Sequence, residues 1–160
     1  MYHGIKKTSC KKMKEALHAI EPLIESRTYD EIIPFLEENF NMDLKTLDSQ
    51  GRQLLWYVAS NMWHHTESTD PCLSCIRYFL ENGADVNHVD KFGKIALHIA
   101  AHRNSVHAVS LMLEFGAEID LPDMYGLTPL FHALMQFDDR WPNAIATLIN
   151  AGADPYKKTR

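Results

Sequence analysis

The chain has 160 residues and a formal net charge of −5, with 46% hydrophobic and 23% charged residues, which is typical of a globular domain. This composition excludes a chain that is disordered throughout, and the negative charge argues against nucleic-acid binding, which needs a concentrated positive surface. No apolar run approaches the ~20 residues that span a bilayer, and the N-terminus lacks the apolar segment of a secretory signal. The sequence therefore predicts neither a membrane-spanning protein nor one exported through a secretory signal peptide, although a bacterial effector injected into a host cell would also fit.

The N-terminal part of the chain, residues 1–47, predicts a tail followed by two helices. Apolar residues recur with helical spacing from Met13 to Ile24, and a second helix is expected over Asp30–Glu38. Asn41 follows at a position where a left-handed residue often ends a helix. The basic residues near the N-terminus are interpreted as a solvated tail or helix face, with a localisation signal or an anion-binding arm as the alternative. They are Lys6, Lys7, Lys11, Lys12 and Lys14.

Three segments of the chain are similar to one another and begin at Asp48, Asp90 and Asp123. Asp90 and Asp123 are 33 residues apart, whereas Asp48 and Asp90 are 42 residues apart, which is the same period with a nine-residue insertion. The third segment carries a three-residue insertion. Each segment continues to a second shared motif, so the pattern predicts tandem structural units. The paired motifs are DSQGRQLLWYVA with ENGADVN, DKFGKIALHIAA with EFGAEID, and DMYGLTPLFHAL with NAGADP.

Each segment is expected to form a turn followed by two short antiparallel helices. One glycine lies in each turn, and another follows each second helix, where a residue with positive φ commonly ends a helix. Thr128-Pro129 predicts a helix start, because Thr can cap a helix and Pro fits its first position. The second segment has Ile95-Ala96 there, so we expect it to lack a hydroxyl cap worth about 1 kcal/mol. The glycines are Gly51, Gly93 and Gly126 in the turns and Gly83, Gly116 and Gly152 after the helices.

The period and the paired motifs resemble the ankyrin-repeat family over residues 48–155. The resemblance implies an all-α solenoid of stacked antiparallel helix pairs with hairpin-like turn tips, in one continuous domain. Its expected parts are a tail and helical capping unit (1–47), a repeat with an insertion (48–89), a regular repeat (90–122) and a repeat with an insertion and a C-terminal tail (123–160). We refer to the last three as the first, second and third repeats.

The resemblance also implies a function, because the family generally binds proteins through the concave face built from the turn tips and the first helices. It therefore predicts a protein-interaction module, such as an adaptor, inhibitor or effector, that needs no cofactor and is not an enzyme. Phe92, Tyr125 and Arg103 are the leading predicted contacts, since the family pattern is polar at the first two positions and aromatic and Arg side chains dominate interface hot spots. The alternative is that Phe92 and Tyr125 only pack on adjacent turns.

Further predicted contacts extend along the same face and into the two insertions, near Met62–Pro71 and Asp138–Pro142. Insertions of this kind often carry specificity, although each of their tryptophans could instead cover an irregular edge of the core. The expected partner is a protein, without nucleic acid or membrane, in the cytoplasm or, for a secreted bacterial effector, in the host cytosol. These further contacts are Lys91, Met124, His102, Asn61 and Met135 on the face and Trp63 and Trp141 in the insertions.

Two other functions are alternatives to protein binding. The C-terminal repeat has no capping helix, so the chain could self-associate through it. The second alternative is a metal- or thiol-dependent enzyme that uses His64, His65, Cys72 and Cys75, whose types suit zinc or a nucleophile–base pair. However, the repeat register places Cys75 at a core position, and no orienting group or oxyanion site is recognisable. We therefore predict neither a metal site nor a catalytic site.

Overall fold

A computed structural model describes residues 7–26, 28–61, 71–135 and 144–157 of the chain. The described residues form eight α-helices, one 3-10 turn at Tyr29–Glu31, and two parallel two-residue strands, β1 (Lys7–Thr8) and β2 (Leu47–Asp48). The expected all-α architecture is confirmed, because the strands form only a short link between the N-terminus and the first repeat. The helices are α1 (Cys10–Glu25), α2 (Ile32–Phe40), α3 (Leu54–Asn61), α4 (Pro71–Glu81), α5 (Ala96–His102), α6 (Val106–Glu114), α7 (Pro129–Leu134) and α8 (Ala144–Asn150).

The helices stack in two layers, as expected for a solenoid of antiparallel pairs. The first layer runs α1, α3, α5, α7, and each helix contacts the next in that order. In the second layer α6 lies between α4 and α8, while the 3-10 turn contacts α4 and α2 packs on α1. The N-terminal helix pair therefore covers the start of the stack, which is what a capping unit has to do.

The core follows the apolar spacing of the helices. In α1, Met13, Leu17 and Ile20 are buried at helical intervals, which confirms the predicted periodicity. In the first layer, Ala59 and Ala101 occupy equivalent positions of α3 and α5 and are fully buried, so a small side chain there permits close approach of the next helix. Burial of each large apolar side chain stabilises the fold by about 1.5–3 kcal/mol.

The helix ends near the N-terminus differ in detail from the prediction. α1 begins at Cys10, because the Oγ of Ser9 accepts a hydrogen bond from the Lys12 amide at 3.1 Å and caps the helix. The predicted second helix starts two residues later, at Ile32, since the preceding residues form the 3-10 turn. Asn41 ends it in the left-handed conformation (φ 47°, ψ 48°), as predicted.

The starts of the repeat helices differ from the expected capping. Ile95 supplies no side-chain cap, as expected, but its own amide donates to Nδ1 of His98 at 3.1 Å, so a ring in the first turn of α5 provides one half of a capping box. Pro129 is the first residue of α7, as predicted, but the Thr128 side chain makes no capping hydrogen bond. Its hydroxyl is buried without a hydrogen-bond partner among the described residues, while its carbonyl accepts from the His132 amide at 3.1 Å.

Candidate partner-binding surface

We call the described residues 48–61, 90–104 and 123–135 the first-helix face; they comprise the three turn tips and the helices α3, α5 and α7 that follow them. Each tip is built around a buried aspartate that opens the repeat. Its Oδ1 accepts two backbone N–H groups, from the residues two and four positions later, so the turn is fixed from inside. The bonds join Asp48 to Gln50 and Arg52 (2.7 and 2.9 Å), Asp90 to Phe92 and Lys94 (2.8 and 2.9 Å), and Asp123 to Tyr125 and Leu127 (2.9 and 3.0 Å).

Neighbouring tips are also bonded to each other. The Lys91 amide donates to the Gln50 carbonyl at 2.9 Å, and the Met124 amide donates to the Phe92 carbonyl at 2.8 Å. Gly93 makes the second contact feasible, because its φ is +74° and a Cβ there would lie 3.0 Å from the Met124 nitrogen. The three tips therefore form one continuous, ordered edge.

Large apolar side chains project from this edge. Phe92 is 40% exposed, Met124 61% and Tyr125 66%, and Met135 at the end of α7 is 64% exposed. Most large apolar side chains in the described part of the chain are buried, so four exposed ones on adjacent tips and at the end of a first helix mark a candidate interaction surface. The exposure of Tyr125 favours binding over packing between turns for that ring, whereas Phe92 is partly covered.

A groove of about 400 Å³ lies on the same face, between α1, α3 and the end of α5. The guanidinium of Arg52 lies 4.6 Å from the ring centroid of Trp56 and 5.1 Å from that of Tyr57, and it bonds to Asp48 (Nη2 to Oδ2, 2.8 Å). The lining of the groove therefore combines aromatic rings with charged side chains. Its lining residues are Lys14, Leu17, His18, Glu21, Arg52, Trp56, Tyr57, Ser60 and Arg103.

The carboxylate of Asp48 anchors the wall of the groove. Burial raises the pKa of Asp48, but hydrogen bonds from Arg52 and from the Tyr57 hydroxyl (2.7 Å) outweigh it, so the pKa lies below its usual value. Burial and the same hydrogen bond raise the pKa of Tyr57. At neutral pH Asp48 is therefore ionised, and Tyr57 keeps the proton that it donates to Asp48. This arrangement suits a structural role.

Three histidines cluster between the first helices of the second and third repeats, α5 and α7. His132 lies 5.3 Å from the His98 ring and 6.1 Å from the His102 ring, measured between centroids, and its Nε2 is 2.9 Å from Oδ2 of Asp123. Burial and the nearby His132 lower the pKa of His98 to about 4, and the same causes, with Arg103, lower the pKa of His102. His98 is fully buried, and we interpret the cluster as part of the packing between α5 and α7.

The predicted contact residues fall into three groups. Lys91, Phe92, Met124, Tyr125 and Met135 are exposed together on the first-helix face, whereas His102 and Arg103 are half-buried at the end of α5. The final group consists of Asn61, which is the last residue of α3 and whose side chain is outside the described part, and of Trp63 and Trp141, which lie outside the described residues.

The four residues of the alternative metal or thiol site are similarly divided. Cys75 is fully buried in α4, as the repeat register predicted, and burial raises the pKa of its thiol. Cys72 is half-buried in the same helix, and His64 and His65 lie outside the described residues. In the part of the chain that the structure describes, no group of three or more His, Cys, Asp or Glu side chains could hold a metal ion.

Sequence reasoning missed the groove and its stacked Arg52. The signal that could have indicated it is the spacing from the repeat aspartate: Tyr57 follows Asp48 by the same nine residues that separate His132 from Asp123. In the structure the Tyr57 hydroxyl donates to Asp48 at 2.7 Å, and Nε2 of His132 lies 2.9 Å from Oδ2 of Asp123. The contribution of α1 to the groove was not predictable, because it depends on how the N-terminal helix lies across α3.

The family model described as ankyrin repeats (3 copies) matches residues 65–159. The chain belongs to the ankyrin-repeat family. Members of this family are protein-interaction modules, and the stacked helix pairs with ordered tips are the corresponding architecture. Among the described residues, no helix is both long and apolar enough to cross a membrane.

Several relatives share the repeats within much longer proteins. The chain is 33% identical over 95 residues to a probable 26S proteasome regulatory subunit p28 of Saccharomyces cerevisiae, which covers 59% of this chain and 38% of that protein. It is 40% identical over 87 residues to SH3 and multiple ankyrin repeat domains protein 2 of Homo sapiens (54% and 4%). It is 36% identical over 94 residues to the nuclear factor NF-kappa-B p105 subunit of Gallus gallus (58% and 9%). The chain therefore spans 38% or less of each of these relatives.

Proposed function

We propose that the protein acts by occupying the surface of a partner protein with its first-helix face, as an adaptor, inhibitor or effector without enzymatic activity. The observation that carries the proposal is the edge of bonded tips that exposes Phe92, Met124 and Tyr125. Internal hydrogen bonds fix the backbone there, so the exposed side chains are held ready for contact at little entropic cost on binding. We further propose a cytoplasmic location, which is supported by the absence of disulfides among Cys10, Cys72 and Cys75.

The test is affinity capture from a cytosolic lysate with mass-spectrometric identification. Wild-type protein is compared with a Phe92→Ala/Tyr125→Ala variant and with a Tyr156→Ala control, which removes an 87% exposed ring outside the first-helix face. We expect a protein that wild type and the control retain and the double variant loses, with melting temperatures that change little. Equal capture by all three would reject this surface. A large fall in the melting temperature of the double variant would instead assign the rings to packing.

A second candidate function, self-association, is favoured by one specific observation. Phe131 and Leu134 are 39% and 48% exposed, whereas their equivalents in the second repeat, His98 and Ala101, are fully buried by the next helix. The corresponding side of α7 is therefore an apolar surface that a second copy could cover. Sedimentation at increasing protein concentration, with Leu134→Ser as the comparison, tests it. A mass that does not change with concentration would remove this candidate.

A further inference from the structure

The charges of the three repeats are divided between the two helix layers. On the first-helix face, the cations are Arg52, Lys91, Lys94 and Arg103, and the carboxylates are the three aspartates that open the repeats. Those carboxylates are 0–7% exposed and bonded to the amides of their own turns. Arg52 is paired with Asp48, and Nζ of Lys94 lies 3.9 Å from Asp123, whereas Lys91 is exposed. A partner that approaches the described part of this face therefore meets Lys91 and apolar groups but no exposed carboxylate, although the whole chain carries a net charge of −5.

The remaining segments of the repeats, residues 71–89, 105–122 and 144–157, have the opposite balance. They carry six carboxylates and two cations, and five of the six carboxylates are exposed. None of these six carboxylates lies on a turn tip. Asp85 nevertheless lines a small pocket with Arg52 and Trp56, so one of them does lie close to a first helix. The six are Glu81, Asp85, Glu114, Glu118, Asp120 and Asp154, and the two cations are Arg77 and Lys157.

The two ends of the first-helix face offer different contacts. The groove near α1 is lined by Lys14 and Arg103 together with Trp56 and Tyr57, and Glu21 is the one acidic side chain in its lining. The exposed apolar side chains lie on the tips of the second and third repeats, next to Lys91. Acidic groups are therefore favoured at the first end and apolar groups at the second.

We infer that the partner contributes an acidic segment that also carries apolar side chains. Its carboxylates lie over the groove and against Lys91, and its apolar side chains cover Phe92, Met124 and Tyr125. Complementary charge orients such a segment and excludes basic ones, while burial of the apolar tips supplies affinity. A polyanion such as RNA would match the cations but would leave the apolar tips uncovered. The inference rests on the proposed function, because it specifies which class of protein partner the first-helix face binds.

The experiment selects peptides from a random library displayed on phage, using the full chain as bait and the Phe92→Ala/Tyr125→Ala variant for counter-selection. Selected peptides are synthesised with a fluorescent label, and their affinity is measured by anisotropy. We expect them to be rich in Asp and Glu together with Leu, Phe or Trp. Their binding should weaken about tenfold when salt rises from about 0.1 to about 1 M, because the Debye length falls from about 10 to about 3 Å.

Matched charge reversals locate the contact. Lys14→Glu/Lys91→Glu reverses one cation of the groove and one cation of the tips, whereas Arg77→Glu/Lys157→Glu makes the same change in total charge elsewhere. We expect the first pair to reduce affinity about tenfold or more and the second to change it less than about twofold, since exposed charges act mainly at short range. Circular dichroism of both variants should match wild type.

Three other outcomes would overturn the inference. Peptides that depend on Phe92 and Tyr125 but are not acidic, or that bind independently of salt, would leave the proposed function standing and reject the acidic partner. A labelled RNA oligonucleotide that competes with the peptides and responds to the same variants would assign the face to nucleic acid. A library without any binder that depends on the two rings would reject both the inference and the proposed surface.

Discussion

The second and third repeats share the same turn and helix pair but differ in what surrounds their first helices. α5 lies between α3 and α7, and its side chains at His98 and Ala101 are fully buried. The equivalent side chains of α7 are Phe131 and Leu134, which are substantially exposed. Contacts between repeats, more than contacts within one, therefore decide which substitutions each first helix tolerates.

The aspartates that open these repeats differ in a related way. Asp123 accepts from His132, and Nζ of Lys94 lies 3.9 Å from the same carboxylate oxygen. Asp90 has Ile99 at the position equivalent to His132, and a hydrocarbon side chain offers no hydrogen bond. The third repeat therefore stabilises its turn with side chains as well as backbone amides, while the second depends more on its enclosure.

The largest expected effect comes from removing these carboxylates. We expect Asp123→Ala to lower the free energy of unfolding by about 3 kcal/mol, because it leaves buried His132 without its acceptor and two turn amides without theirs. Asp90→Ala should cost roughly 1–2 kcal/mol less, since it removes turn bonds alone. Urea unfolding of both variants measures the difference. An equal cost would show that the His132 contact adds nothing to stability.

The stability of the fold should depend on pH through His98, the fully buried histidine of α5. The pKa of His98 is about 4 in the folded chain and near 6.5 when unfolded, so the unfolded state binds more protons between these values. Stability is therefore complete above the unfolded pKa and declines as the pH falls from about 6.5 to about 4, by up to roughly 3 kcal/mol. Unfolding by urea at several pH values tests this expectation.

Matched variants isolate the His98 contribution from those of the neighbouring Asp123, His102 and His132. His98→Asn keeps a side-chain acceptor for the Ile95 amide but does not titrate, so its stability should change less across this pH range. His18→Gln, which removes an exposed histidine on α1, should retain the wild-type dependence. If all three proteins lose stability equally, His98 is not the group responsible.

The smallest effect concerns side-chain size in the two environments. We expect Ala101→Leu to destabilise the fold by about 1–3 kcal/mol, because α7 packs closely over that position. Leu134→Ala, the reverse change at the equivalent exposed site, should cost less than about 1 kcal/mol in a monomer. Thermal unfolding at low protein concentration compares them. A large cost for Leu134→Ala would indicate that α7 is covered in solution.

The sequence predicts the fold because the repeat imposes strict local requirements. The 33-residue period, the turn glycines and the apolar helix spacing predicted the family, the layers and the left-handed ends, while the repeat boundaries themselves stay a prediction. The hydrogen bond from the Ile95 amide to the His98 ring was missed, since the expected cap was a hydroxyl at the first position and not an acceptor three residues later. That hydrogen bond depends on the rotamer of a buried ring, which the repeat pattern does not specify.

The candidate surface was only partly predictable. Register places Phe92, Met124 and Tyr125 at the turn tips, where their side chains are 40–66% exposed, while their role in binding stays a prediction. The groove required knowledge of how α1 lies beside α3, which the irregular N-terminal sequence does not encode in any repeat pattern. The partner remains a proposal, because side chains outside the core can vary while the scaffold persists.

The aspartate-centred turns have a consequence for how readily such a protein acquires new specificity. Each turn is held by backbone amides, so the exposed side chains at positions 91, 92, 124 and 125 contribute nothing to the bonds that define its shape. Any residue that keeps its N–H, which excludes only proline, can occupy the positions whose amides are used. Selection, natural or in the laboratory, can thus rewrite the contact surface one side chain at a time without a matching change in the scaffold.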